Sequence, residues 1–77
     1  MLYQIIKMYF RYWIYRPKYN WGMSIIAYKP EREKIINEYY NAIGIVETND
    51  GYYIFYYPPV AIKWMKEHKN EDYKFIK

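Results

Sequence analysis

The chain has 77 residues, a net charge of +4 and aromatic rings at 25% of its positions. That length makes one domain, spanning 1–77, with a small core, because so short a chain buries only about 60–65% of its unfolded surface. The absence of cysteine excludes disulfides and thiolate metal sites, and a single histidine, His68, gives no basis for a zinc site.

The first segment, Tyr3 to Tyr15, reads in two ways. As a strand it places Lys7, Tyr9, Arg11, Trp13 and Tyr15 on one face and Met8, Phe10, Tyr12 and Ile14 on the other. As a helix it gathers Gln4, Lys7, Arg11 and Tyr15 into one narrow polar stripe. Aromatic and β-branched enrichment favours the strand, and the three-to-four spacing of polar residues favours the helix. Strand is the expectation. Pro17 to Gly22 then reads as a loop or turn, and Met23 to Tyr28 as a short strand.

Pro30 opens a predicted helix, with Glu31 and Glu33 in the first turn, where the helix dipole favours negative charge. Ile35, Ile36, Tyr39, Tyr40 and Ile43 follow at helical spacing, and Gly44 is a natural stop. Residues 43–48 and 52–57 flank Asn49-Asp50-Gly51, a strong hairpin signal. One face of that hairpin carries Val46, Thr48, Tyr53, Phe55 and Tyr57, and the other Ile45, Glu47, Tyr52, Ile54 and Tyr56. Neither face is polar, so both are expected to be covered or used. Pro58-Pro59 introduces a second helix over 60–69, with Ala61, Trp64, Met65 and His68 on its apolar side and Lys63, Lys66 and Lys69 opposite. Residues 70–77 form a loose tail or an edge strand. The predicted architecture is α+β, in the order β-β-α-β-β-α, with two helices packed on a mainly antiparallel sheet.

Thirteen tyrosines stand against three phenylalanines. Either ring fills a core, but only tyrosine adds a hydroxyl that needs a partner when buried and is useful at a wet surface. A domain this small cannot enclose all its rings, so a tyrosine-rich interface and a homo-oligomer are expected. Lysine, isoleucine, tyrosine and asparagine share A/T-rich codons, but so does the scarce phenylalanine, so genome bias does not explain the preference.

Three surfaces are candidates for function. On a strand, Lys7, Tyr9, Arg11, Trp13 and Tyr15 would interleave cations with rings, a pattern suited to single-stranded nucleic acid, where rings stack on bases and cations meet phosphates. The competing reading packs those rings under a helix or across a dimer interface. Lys63, Lys66 and Lys69, with Arg16, Lys18 and Lys74, could meet phosphates or simply be solvated. Tyr39, Tyr40, Tyr52, Tyr53, Tyr56 and Tyr57 could anchor a protein partner, with Tyr52, Tyr53, Tyr56 and Tyr57 as the interface residues, or belong to the core. His68 is read as a packed structural residue. No nucleophile has a base beside it, so enzymatic activity and a cofactor are not expected.

No run approaches the roughly 18 apolar residues of a membrane span. The early apolar stretch lacks a small-residue cleavage site and is interrupted by Lys7 and Arg11, so an intracellular location is expected. The profile, rich in tyrosine, isoleucine and lysine and free of cysteine, resembles small uncharacterised proteins of viruses that infect hyperthermophilic archaea. That resemblance, of composition only, implies a host-facing or nucleic-acid-facing role. The sequence-level reading is a non-enzymatic binding protein that contacts nucleic acid through a basic-aromatic surface. The alternative is a protein-interaction module, either a host-complex inhibitor or a homo-oligomeric structural protein.

Overall fold

The structure is a computed structural model that describes residues 2–15 and 22–77. Apart from Gly22, the turn expected over 17–22 lies outside the described residues, as do Arg16 and Lys18. The elements run α1 (Leu2–Tyr15), β1 (Met23–Ile26), α2 (Arg32–Glu38), β2 (Gly44–Thr48), β3 (Gly51–Phe55), α3 (Pro58–Glu67) and β4 (Lys74–Phe75). The fold is α+β, and the described residues form three helices on a four-stranded antiparallel sheet of order β1-β3-β2-β4.

The hairpin forms as its signal predicts. Thr48 pairs with Gly51, leaving Asn49 and Asp50 as the turn. The Thr48 hydroxyl accepts from the Asp50 N–H and donates to the Gly51 carbonyl, both at 3.2 Å. Gly51 has φ +142°, a conformation other residues rarely adopt, and a Cβ there would stand 1.9 Å from the Ile26 carbonyl oxygen. Glycine is therefore required both by its backbone and by the closeness of β1.

Register sorts the hairpin into two faces, and both are covered. Val46 lies opposite Tyr53, and Ile45 opposite Ile54. On one face Val46 and Phe55 pack with Met8 of α1 and with Ala61, Trp64 and Met65 of α3. On the other, Ile45, Tyr52 and Ile54 pack with Ile35 of α2. This three-layer arrangement follows from topology. The parallel strands β1 and β2 are bridged by α2 across β3, and the parallel strands β3 and β4 are bridged by α3 across β2. Both crossovers advance the same way across the sheet, but from strands of opposite direction. Equal handedness then puts α2 and α3 on opposite faces, as found.

α2 is held at its start by side chains. Arg32 donates two hydrogen bonds to the Glu47 carboxylate, at 2.6 and 3.3 Å, with Lys29 3.7 Å from the same group. The Tyr52 hydroxyl donates to the Pro30 carbonyl at 2.8 Å. The Arg32 hydrogen bond holds the Glu47 carboxyl below its ordinary range, against the opposing effect of burial. Burial, in turn, raises the Tyr52 phenol. α2 stops at Glu38, short of the predicted end at Ile43, and Pro30 precedes its N-cap, Glu31. Tyr39, Tyr40 and Asn41 are weak helix formers, and the Ile43 N–H bonds to the Phe55 carbonyl at 2.8 Å, committing it to the sheet.

The largest correction concerns the N-terminal segment. Residues 2–15 are a helix and not a strand, so the order begins with α and three helices replace two. Strand preference reports fit to a pleated, half-buried surface more than backbone intent. Here the sheet needs a cover for Val46 and Phe55, and helical spacing delivers Ile5, Met8 and Tyr12 to it together. α3 starts two residues earlier than predicted, with both prolines in its first turn, where missing N–H groups cost nothing. The tail is an edge strand. Lys74–Phe75 pair with β2, and the Ile76 N–H bonds to the Ile45 carbonyl at 2.9 Å.

Candidate functional site

At about 100° per residue, α1 divides into three sectors. Ile5, Met8 and Tyr12 face the sheet, and Met8 is completely buried. Gln4, Lys7 and Arg11 form a stripe about 60° wide. Leu2, Tyr3, Ile6, Tyr9, Phe10, Trp13 and Ile14 occupy the remaining arc of about 140°, with exposures between 49% and 72%. That arc contains no charge.

The polar stripe serves largely as a seam. The Gln4 amide donates to the Lys77 carbonyl at 3.2 Å, and the Arg11 guanidinium to the Ile43 carbonyl at 3.1 Å. The Lys77 ammonium donates to the Tyr40 carbonyl and lies 4.9 Å from the Tyr15 ring centre. Burial and then the nearby Arg11 charge lower the Lys77 amine. Lys7 sits 4.8 Å over the Tyr3 ring.

The basic-aromatic face is therefore not assembled as expected. Residues alternating on a strand separate on a helix, so Tyr9 and Trp13 point away from Lys7 and Arg11. Tyr9 and Trp13 are exposed apart from these cations, whereas Lys7 stands over Tyr3 and Arg11 is engaged within the fold. α3 ends at Glu67, two residues short of the predicted 69, so Lys63 and Lys66 are exposed on the helix and Lys69 is exposed just beyond it. Between α3 and α1 runs an apolar groove of about 210 Å³, lined by Ile5, Ile62 and Met65 with the stems of Lys66 and Lys69.

The hairpin tyrosines belong to the body of the fold and do not form the expected surface anchor. Tyr52 and Tyr56 are buried. Tyr53 packs 5.0 Å from Trp64, and Tyr57 makes an edge contact with Tyr12 at 5.6 Å. Of the tyrosine cluster, Tyr40 is largely exposed, and the other exposed tyrosines among the described residues are Tyr3, Tyr9, Tyr15 and Tyr28.

His68 is packed. Its ring stacks on Trp64 at 4.2 Å, Nδ1 lies 2.8 Å from the Trp64 carbonyl, and Nε2 lies 3.7 Å from Glu71. It lines a polar cavity of about 280 Å³ with Asp50, Glu71 and Asp72. Trp64 Nε1, also buried, has no hydrogen-bond partner among the described residues. Among the described residues no cluster of His, Asp and Glu could hold a metal ion, and no helix is long and apolar enough to cross a membrane.

No family model matches the chain, and no curated protein or solved structure matches it. The sequence-level reading missed the α1 arc, although the spacing of Gln4, Lys7 and Arg11 carried its signal: a helix with so narrow a polar stripe cannot bury its whole apolar circumference against one sheet.

Proposed function

We propose that the chain is a non-enzymatic protein-interaction module whose docking surface is the charge-free arc of α1. One observation carries this reading: seven large apolar side chains share one solvent-facing helix surface. With roughly 150–250 Å² for a whole ring, their exposed area is on the order of 1,000 Å². The largest apolar patch of a typical monomer is about 300–600 Å². A photo-cross-linking residue at position 10 in host extract tests the reading. Protein adducts that disappear in an Ile6→Glu background are expected. Adducts only with nucleic acid or lipid, or none at all, would refute it.

A second reading, contact with nucleic acid, is favoured by the exposure of Lys63 and Lys66 on α3 and of Lys69 just past its end. Phosphate contacts release counterions, so affinity must fall steeply as salt rises. Titration of labelled single- and double-stranded DNA and RNA at several salt concentrations, with wild type and a triple Lys→Glu variant, tests it. Absence of binding at low salt, or equal binding by the variant, ends this reading.

A further inference from the structure

We infer that the occupant of the α1 arc is a second copy of this chain, paired α1 against α1 about a two-fold axis. The inference rests on the docking surface proposed above and adds its partner. Three observations lead to it.

The first is area. An interface of ordinary size buries about 800 Å² on each partner. The arc offers on the order of 1,000 Å², so a single isologous contact consumes it without needing any other part of the surface.

The second is charge. The chain carries +4, so two copies repel unless they meet where cations are absent. The α1 arc meets that condition. Lys7 and Arg11 lie beside it on the stripe, with Arg11 turned in to the Ile43 carbonyl, while Lys66 and Lys69 rim the groove toward α3. A contact confined to the arc leaves every one of these cations outside its centre. An acidic partner would gain nothing from the neutral centre, whereas a like-charged copy requires it.

The third is composition. Interface centres are enriched in aromatic rings and depleted of charge. Tyr3, Tyr9, Phe10 and Trp13 supply four rings, and two of them bring hydroxyls that stay solvated in the monomer and can reach the wet rim in the dimer.

Sedimentation equilibrium from 1 to 200 µM tests the inference on wild type, on Ile6→Glu/Phe10→Glu and on Lys63→Glu. Positions 6 and 10 are exposed, so circular dichroism should show the double variant folded. Twice the chain mass is expected for wild type and for Lys63→Glu, and a monomer for the double variant, with association weakened at least about 100-fold. A wild type that stays monomeric at 200 µM overturns the inference, as does a dimer that survives both charges, which would place the contact elsewhere, for instance at the free edge of β1. Should the double variant unfold, Tyr3→Lys/Trp13→Lys, at the two ends of the arc, replaces it with the same expected outcome. A monomeric wild type that still yields cross-linked protein in host extract overturns only the second-copy partner, whereas loss of both signals removes the docking surface as well.

Discussion

Met8 and Phe10 provide the sharpest mutational test of how the N-terminal segment is built. On a strand they share a face, whereas on α1 they stand about 160° apart. Met8 is 0% exposed and touches the sheet at Gly44, where an added Cβ would meet its sulfur at 3.4 Å. Phe10 is 64% exposed. Truncating a buried methionine to alanine removes its transfer free energy and leaves a cavity, at a cost of about 2–5 kcal/mol. A chain of this length has a total stability of roughly 4–12 kcal/mol, so Met8→Ala removes a large share of it. Phe10→Ala should change the stability of the monomer by only about 0.5 kcal/mol. Urea denaturation at sub-micromolar protein, followed by circular dichroism, keeps self-association out of the comparison. Equal losses for the two variants would show that residues 8 and 10 share a buried face, and the helical assignment with its exposed arc would fall.

The glycines make a second comparison: Gly51→Ala should cost at least about 2 kcal/mol through its positive φ and the clash with Ile26, and Gly44→Ala about 1 kcal/mol or less, as read from denaturation midpoints. Equal effects would contradict the close approach of β1 to the turn. The Glu47 cluster sets an acid-side limit. Its folded pKa is depressed, so its stabilisation is complete above the ordinary carboxylate range and is lost as pH falls through the folded value. Glu47→Gln should therefore flatten the acid limb of stability against pH, and an unchanged limb would show that the ion pair with Arg32 contributes nothing. On the alkaline side, the raised Tyr52 pKa means that its contribution is present below the ordinary phenol range and lost as pH rises through the folded value. Tyr52→Phe should flatten that limb, and an alkaline limb identical to that of wild type would contradict the assignment.

The legible parts of the fold were those in which local chemistry and tertiary need agree. Asn49-Asp50-Gly51 allows few alternatives to a tight turn, and the alternation on either side placed Val46 and Tyr53 on one face and Ile45 and Ile54 on the other, matching the observed register. On α3, the prolines, the Ala61-Trp64-Met65-His68 spacing and the opposed lysines all indicated the same helix. Residues 2–15 were illegible because their β-branched and aromatic side chains suit either structure, and the decision came from the uncovered sheet face. The candidate site shared that fate. Tyr9, Arg11 and Trp13 alternate in sequence, but a period of 3.6 residues takes the rings to one side of the helix and the cations to another. The hairpin tyrosines were conspicuous as a cluster, and the lack of a polar face announced that both sides would be covered or used, but not that α1 would join α3 over one face while α2 closed the other.

The absence of cysteine makes one measurement especially direct: each engineered thiol is the only one in its chain. Single cysteines placed in turn at positions 3 through 14 of α1, mildly oxidised at concentrations spanning the self-association range, report which side chains meet their counterparts in a second copy. High yields of disulfide-linked dimer are expected at 6, 10 and 13, with minima at 4, 7, 8 and 11, the helical period of the exposed arc. Uniform yields along the segment, or no linkage at the arc positions, would contradict the claim that α1 is the surface through which this protein associates.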